Sequence, residues 1–132
     1  VCVDERGGMS FCGRRVSRDR AVTARILEKT GGRALWMSPY SAGLFDPLPE
    51  NARVSEDFLA AAPEDAACFV ETRPLGNAAA RAERIVRYLW NRRYPSDVRF
   101  DVDVTAAPWR LVSRVEFAGH SHERITEEVY ER

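Results

Sequence analysis

Apolar residues fall into short continuous runs that alternate with helix-like spacing over the first two thirds of the chain. The runs "RALWM" at 33–37 and "ACFVE" at 67–71 are apolar along most of their length, which is typical of strands covered on both faces of a sheet. Ahead of the first run, Ser17 is a suitable N-cap for a helix that reaches about Thr30. This order predicts parallel strands joined through helices.

Weaker patterns mark the segments between these elements. Residues 1–4 predict a short apolar strand, and the glycine-bearing residues 5–13 predict a mobile loop. Ser38 followed by Pro39 predicts the start of a helix of one or two turns. A stiff connector is expected at 46–50, and further short helices are expected from Ser55 to Pro63 and within 72–84.

The last third of the chain has strand character with polar connections. Residues 98–104 alternate strictly between apolar and polar positions, so only one face of that strand is apolar. Strands are also expected at 85–90, 109–117 and 124–132, with 118–123 as a hairpin connection. The sequence therefore predicts a single α/β domain, residues 1–132, with a mostly parallel central sheet, flanking helices and a C-terminal antiparallel hairpin.

The composition is typical of a globular domain. Of the 132 residues, 45% are hydrophobic and 30% are charged, and no apolar run approaches the roughly 20 residues of a membrane span. The first residues lack the basic start and the apolar stretch of a signal peptide. The three cysteines have no CxxC spacing, so we expect a cytoplasmic protein with free thiols and no metal, in which Cys2 and Cys68 are buried in strands.

The net charge is zero, but the charges are unevenly distributed along the chain. Residues 1–33 carry a net charge of +4 and residues 73–99 a net charge of +5, while residues 46–71 carry −6. If the two basic segments meet in space, their arginines would form a face that binds anions, because the guanidinium group suits phosphate and carboxylate. The alternative is solvated surface charge with no ligand.

A second candidate site lies near the C-terminus. His120 and His122, followed by Glu123, can shuttle protons or bind a metal, and residues two apart in a strand face the same side. The stretch "YLWNRRYP" interleaves aromatic residues with Arg92 and Arg93, which favours contact with RNA. These features together allow an RNA-binding or ribonuclease-type hydrolytic protein. The alternative is a polar hairpin tip.

Three stretches resemble the dihydrofolate reductase family. "VCVDERGGMSF" resembles that family's opening strand and flexible glycine loop, and "ILEKTGGRALWMSPYSAGLF" is similar to a helix end, a strand and the short helix beside the cofactor phosphates. The stretch from "YPSDVRFDVDV" to the terminal "YER" is similar to the family's closing strands. The resemblance implies a shortened dihydrofolate-reductase-like fold.

The resemblance also implies site residues. Asp19 stands where the family places the carboxylate that holds the pterin ring, so it is the candidate catalytic residue. Ser38, Tyr40 and Ser41 stand at the short helix beside the cofactor phosphates and are the candidate NADPH-binding residues. Asp19 has a structural alternative, since a first-turn acid can complement the helix dipole and pair with a neighbouring arginine, which would also depress its pKa.

The sequence departs from the family pattern on the cofactor side. Glu71, Thr72 and Arg73 stand in place of the glycine pair that lets the backbone approach the dinucleotide pyrophosphate, and a carboxylate there would repel phosphate. Arg15 and Val16 replace the family's tryptophan and proline before the helix. The segment between Phe45 and Phe69 is also short, so we expect one strand to be lost.

Three hypotheses follow from the sequence. The first is a diverged dihydrofolate-reductase-like protein that binds a small planar or nucleotide-like ligand and, in its enzymatic form, is an NADPH-dependent reductase. The second is the RNA-binding or hydrolytic protein that uses the Arg-rich segments with His120 and His122. The third is a non-catalytic scaffold or a subunit of a homo-oligomer.

Overall fold

The computed structural model describes residues 1–132, and its strands form three hydrogen-bonded sheets. The strands are β1 Cys2–Val3, β2 Gly8–Phe11, β3 Arg14–Arg15, β4 Leu35–Met37, β5 Ala52–Val54, β6 Ala67–Cys68, β7 Arg84–Leu89, β8 Val98–Arg99, β9 Arg110–Phe117 and β10 Ile125–Glu131. The helices are α1 Arg20–Thr30, α2 Pro39–Ala42 and α3 Phe58–Ala61, with a 3₁₀ helix at Gly76–Arg81.

The predicted parallel arrangement is confirmed. Strand β4 lies between β5 and β6 and is parallel to both, and β1 is parallel to β7. Helical segments join these strands along the chain, as parallel connections require. The carboxyl ends of β4 and β6 therefore lie at the same end of their sheet.

The C-terminal antiparallel hairpin is also confirmed. Strand β10 pairs antiparallel with β9 on one side and with β7 on the other. Its residues from Ile125 to Tyr130 are all buried, including Glu127 and Glu128, so both faces of this strand are covered. The connection at 118–124 folds back towards the start of α1, with consequences described below.

The glycine-bearing segment differs from expectation, because much of it is a hairpin rather than a loop. Strands β2 and β3 pair antiparallel, with Phe11 opposite Arg14. The two residues between them, Cys12 and Gly13, have φ angles of 50° and 74°, as in the type I′ turns that match the twist of paired strands. The hairpin fixes the direction in which residues 16–19 leave β3 towards α1.

Several element boundaries also differ from the predictions. Helix α1 begins at Arg20 with Asp19 as its N-cap, whereas Ser17 was the expected cap. Strand β5 follows the connector predicted at 46–50 and lies within the segment where we expected one strand to be lost. Strand β8 covers only two residues of the predicted 98–104 strand. The Ser38 cap before Pro39 is confirmed.

The main core lies between α1 and the sheets. It contains nine buried side chains, namely Val22, Ile26, Leu35, Met37, Phe45, Phe69, Tyr88, Trp90 and Ile125. Full burial of each large apolar side chain contributes about 1.5–3 kcal/mol, so this cluster anchors the N-terminus of α1 against β10. No helix has the length and apolar character needed to cross a membrane.

The cysteines are placed differently from one another. Cys2 is half-buried, and burial raises the pKa of its thiol to about 12. Cys12 and Cys68 are exposed, so the expectation that Cys68 is a core residue is wrong. Strand β6 is only two residues long, and its second residue faces outward.

Candidate functional site

Residues 15–19, which run from the end of β3 to the start of α1, contribute side chains to two separate clusters. Arg15 reaches towards the residues that follow β6, whereas Ser17 and Asp19 reach towards the β9–β10 connection. The candidate site therefore has two parts, supplied from one stretch of five residues.

Asp19 is the N-cap of α1, and its carboxylate is completely buried. Its backbone is extended, with φ −157° and ψ 133°, and its Oδ1 accepts a hydrogen bond from the N–H of Ala21 at 2.9 Å. An acid at this position satisfies one of the unpaired donors of the first turn and complements the helix dipole. The structural alternative predicted a first-turn acid paired with an arginine, whereas the structure makes Asp19 the cap itself.

The same carboxylate also binds the β9–β10 connection. It accepts hydrogen bonds from the N–H groups of His120 and Ser121, both at 2.9 Å, and from the Ser121 hydroxyl at 3.1 Å. A Cβ on Gly119 would lie only 2.5 Å from the Asp19 Oδ2. Glycine is therefore required here for the connection to approach the carboxylate.

The hydrogen bonds to Asp19 set its charge state. Burial acts to raise the pKa of Asp19, but the hydrogen bonds from His120, His122, Ser121 and Ala21 outweigh it and hold the pKa well below the ordinary range. No arginine forms an ion pair with this carboxylate. The predicted direction of the shift is therefore present, but neutral N–H donors cause it rather than the flanking cations.

His122 connects Asp19 to Ser17. Its Nδ1 lies 3.0 Å from the Asp19 Oδ2, and its Nε2 lies 2.9 Å from the Ser17 Oγ. Because an ionised carboxylate only accepts hydrogen bonds, Nδ1 carries the proton when the ring is neutral, and Nε2 is then an acceptor. The imidazole ring stacks on the indole of Trp90, with ring centroids 4.6 Å apart, so its orientation is fixed.

Tyr94 completes this cluster. Its hydroxyl lies 3.2 Å from the His122 Nε2 and 3.4 Å from the Ser17 Oγ. Its backbone N–H donates to the buried Asp4 at 3.0 Å, and Asp4 also binds the N–H groups of Arg6 and Gly8 at 2.8 Å. The first turn after β1 thus positions Tyr94. We call Ser17, Asp19, Tyr94 and His122 the serine–histidine cluster.

The second cluster contains Arg15, Tyr40 and Glu71, and we call it the Arg15 cluster. The Arg15 guanidinium binds both oxygens of Glu71, at 2.7 and 3.0 Å, and it lies 4.4 Å from the centre of the Tyr40 ring. The backbone N–H of Arg15 also donates to the Tyr40 hydroxyl at 3.1 Å. The pair is largely buried, with side-chain exposures of 16% for Arg15 and 6% for Glu71.

The candidate cofactor residues bind mainly to one another or to Arg15. The Ser38 hydroxyl accepts from the N–H of Ser41 at 3.1 Å and donates to the Ser41 hydroxyl at 3.2 Å, and both serines are buried. Tyr40 is partly exposed and carries the contacts with Arg15 described above. The three residues lie close together at the start of α2, and the hydroxyls of the two serines are buried.

The structure separates the residues of the other candidate site. His122 is buried, whereas His120 and Glu123 are exposed, and His120 contributes only its backbone N–H to Asp19. Arg92 and Arg93 are exposed and precede Tyr94 in the chain. No group of three histidine, cysteine or acidic side chains is close enough to hold a metal ion. RNA binding and assembly into a homo-oligomer stay predictions.

Sequence reasoning missed the roles of Ser17 and Tyr94. Ser17 is two residues before Asp19, a spacing that predicts a helix cap followed by an acid in the first turn. The contact that matters joins residues 17 and 122, which are 105 positions apart. No local pattern carries such information, although a serine and an acid beside a helix start could have prompted a search for a histidine partner.

Comparisons with known proteins identify the fold. No family model and no curated protein matches the sequence. A solved structure of dihydrofolate reductase from Enterococcus faecalis, complexed with NADP(H) and RAB-propyl, matches with a TM-score of 0.61 and 14% sequence identity. The match covers 99% of this chain and 92% of that protein.

The chain has a dihydrofolate-reductase-like fold. The prediction of fold class is confirmed, with the mixed α/β architecture and the C-terminal hairpin both present. At this low identity the match concerns the course of the backbone and not the chemistry of the site. The chemistry of the two clusters therefore rests on the side chains of this chain alone.

Proposed function

We propose that this protein binds a small planar or nucleotide-like ligand at the Arg15 cluster. The observation that supports the proposal is the convergence of Arg15, Tyr40 and Glu71 from three separate elements. Tyr40 follows β4 and Glu71 follows β6, and these two strands are parallel. Ligands of open α/β sheets bind in the crevice outside the carboxyl ends of such strands.

The chemistry of the cluster favours a flat ligand with N–H donors. The Glu71 carboxylate accepts two parallel N–H bonds from a planar guanidinium, and the phenol ring of Tyr40 covers that plane. A ligand with an amidine-like edge can take the same two hydrogen bonds if Arg15 moves aside. Displaced Arg15 would then be available to an anionic group on the ligand.

The residues present do not fit NADPH. The similar reductase is complexed with NADP(H). Here the resemblance puts Glu71 in place of the family's glycine pair, and its buried carboxylate, which is paired with Arg15, would repel a pyrophosphate. The hydroxyls of Ser38 and Ser41 bind each other instead of facing outward. We therefore derive no hydride-transfer step for this protein.

Ligand-induced stabilisation tests the proposal. We expect 2,4-diaminopyrimidine or folate to raise the melting temperature, because a ligand at 100 times its Kd adds about 2.7 kcal/mol to native-state stability, which is about 10 °C for a domain of this size. NADPH should produce a smaller shift than either compound.

Two variants locate the binding. Glu71→Gln should remove the shift, because an amide cannot accept both hydrogen bonds, whereas the exposed Glu64→Gln should retain it. Absence of any shift with planar ligands at millimolar concentration would contradict the proposal. A shift that survives Glu71→Gln would place the ligand elsewhere.

A further inference from the structure

We propose that Ser17 is a nucleophile activated by His122, and that the serine–histidine cluster hydrolyses acyl esters. This activity goes beyond the ligand binding proposed above and uses a different set of side chains. The inference rests on a continuous chain of hydrogen bonds: Ser17 Oγ to His122 Nε2 at 2.9 Å, then His122 Nδ1 to Asp19 Oδ2 at 3.0 Å. Ser17 is partly exposed, whereas His122 and Asp19 are buried.

Ser17, His122 and Asp19 are hydrogen-bonded in the order that proton transfer from a serine requires, with the base between the hydroxyl and the carboxylate. A serine hydroxyl is a weak nucleophile unless a neighbouring base removes its proton as the new bond forms. The free lone pair of His122 lies on Nε2, which is the nitrogen that faces Ser17. His122 can therefore act as the general base for Ser17 and later as the general acid for the leaving group.

Asp19 is the positioning residue of this cluster. It holds the Nδ1 proton, and its negative charge favours the imidazolium that forms when His122 accepts a proton. Its own pKa is too low for it to be protonated near neutrality, because its N–H donors stabilise the charge. The stacked Trp90 ring keeps the imidazole in the plane that both hydrogen bonds need.

Tyr94 supplies a donor for the charge that develops on the substrate. Its hydroxyl lies 3.4 Å from the Ser17 Oγ, and an oxygen bound to the attacked carbon would lie beside that atom. Tyrosine hydroxyls can donate hydrogen bonds to such oxyanions. The fixed backbone position of Tyr94, held by Asp4, keeps this donor in place.

The surroundings favour an ester that carries negative charge. Arg18 follows Ser17 in the chain, Arg93 precedes Tyr94, and both side chains are exposed. Neither arginine forms an ion pair in the structure, so both are available to an anion. The substrate class is therefore an acyl ester with a carboxylate or phosphate group.

The reaction balances with water as the second reactant. The Ser17 Oγ bonds to the carbonyl carbon while its proton moves to the His122 Nε2, and the ester C–O bond then breaks as the leaving alcohol takes that proton. Water gives its proton to Nε2 and attacks the acyl carbon, and the bond to Oγ breaks as the proton returns to Ser17. The products are a carboxylic acid and an alcohol.

Covalent labelling with a fluorophosphonate probe tests the nucleophile. We expect phosphonylation at Ser17, located by mass spectrometry of peptides, and its loss in Ser17→Ala. Ser55→Ala is the matched control, since Ser55 is also partly exposed but its hydroxyl binds Asp57 rather than a histidine. Labelling spread over several serines, or none at all, would refute the proposal.

A cysteine variant separates activation by His122 from a purely structural role. In Ser17→Cys, which is nearly isosteric, we expect iodoacetamide to alkylate Cys at position 17 at least tenfold faster than in Ser17→Cys/His122→Gln. Equal rates in the two folded proteins would show that His122 only holds the connection to α1.

The pH profile of the same alkylation tests the role of Asp19. The titratable groups that face His122 are Asp19, from the cap of α1, and Tyr94, from the segment after β7. Asp19→Asn in the Ser17→Cys protein should shift the profile to higher pH, because the thiolate–imidazolium pair loses its stabilising carboxylate. An unchanged profile in a folded variant would assign Asp19 to capping alone.

Hydrolysis of 4-nitrophenyl esters tests the substrate class. We expect the glutarate ester, which carries a free carboxylate, to be hydrolysed faster than the acetate ester, with the advantage decreasing as salt is added. Equal rates for the two esters would contradict the selection of anionic substrates, and rates unchanged by Ser17→Ala would contradict the activity itself.

Discussion

The two clusters beside α1 both contain a buried carboxylate, but they stabilise its charge in different ways. Glu71 in the Arg15 cluster forms a bidentate ion pair with a guanidinium. Asp19 in the serine–histidine cluster accepts hydrogen bonds from neutral N–H and O–H groups and from one imidazole. An ion pair has no net charge to offer a neighbour, whereas Asp19 keeps a negative charge that acts on His122.

The same contrast holds for the other buried acids. Glu127 pairs with Arg25 and Lys29, and Glu128 pairs with Arg87 and Arg114. Asp4, like Asp19, is held by backbone N–H groups, and it positions Tyr94. The two buried carboxylates without an arginine or lysine partner, Asp4 and Asp19, are thus the two that position the serine–histidine cluster. We infer a chemical role for that cluster and a structural role for Glu127 and Glu128, which are paired with arginine.

The largest effect is expected for loss of the Asp19 side chain. Asp19→Ala leaves three N–H donors without their acceptor, and each unsatisfied buried group costs about 1–3 kcal/mol. We expect urea denaturation to show a fall of about 3–5 kcal/mol in the free energy of unfolding. The fall is smaller than the summed cost of three buried donors because His120 and Ser121 lie in an exposed connection, where water can bind their N–H groups. Glu71→Gln should lower the free energy of unfolding by only about 1–2 kcal/mol, because the amide keeps one acceptor for Arg15 and the guanidinium, which is 16% exposed, can turn towards solvent.

These two values test the comparison directly. If Glu71→Gln destabilised the fold as much as Asp19→Ala, the ion pair and the N–H cradle would be equivalent supports, and the distinction drawn above would not hold.

Gly119→Ala is expected to have the next largest effect. The added Cβ would lie 2.5 Å from the Asp19 Oδ2 and 2.7 Å from a methyl carbon of Ile125, so the connection must move away from α1. Overpacking of this kind costs about 1–3 kcal/mol, and it should slow the labelling of Ser17 as well. Gly32→Ala is the control, since a Cβ there meets nothing within 4 Å, and a matching loss in that variant would rule out crowding as the cause.

The pH dependence of stability should show the contribution of Asp19. Its folded-state pKa is depressed, so its contribution is present above the unfolded-state pKa of about 4 and is lost as the pH falls through the folded-state value. We expect wild-type stability to decrease below about pH 4, with Asp19 adding up to about 1.4 kcal/mol per pH unit to the slope. Asp19→Asn should have a flatter acid limb, and identical slopes would argue against a charged Asp19.

The smallest effect is expected at Tyr94. Tyr94→Phe removes a hydroxyl that shares the Nε2 of His122 with Ser17, so it should lower the free energy of unfolding by only about 0.5–1 kcal/mol. Labelling of Ser17 should decrease more than stability does, because the oxyanion donor is lost. A variant that labels at the wild-type rate would remove Tyr94 from the proposed chemistry.

The sequence predicted features that depend on neighbours in the chain. The Ser38 cap before Pro39, the apolar strand around Leu35 and the hairpin strands at the C-terminus follow from local patterns, and the structure contains them. The β2–β3 hairpin was missed because Cys12 at a positive φ is not a typical turn signal.

The candidate site depended on contacts that no local pattern records. His120 and His122 are equivalent by spacing, yet only His122 is buried, because the connection folds onto the carboxylate of Asp19. Asp19 was singled out from the sequence, but its partners His120 and Ser121 lie more than 100 residues away. Such placement is decided by how the C-terminal hairpin packs against α1.

The protonation of His122 tests the central claim most directly. The chain has two histidines, and ¹⁵N spectra of the imidazole nitrogens can assign the proton of each ring. We predict that at neutral pH His122 carries its proton on Nδ1, bound to Asp19, with Nε2 free to accept the proton of Ser17. A ring protonated on Nε2, alone or together with Nδ1, would contradict the relay, since that nitrogen could not act as the base for Ser17.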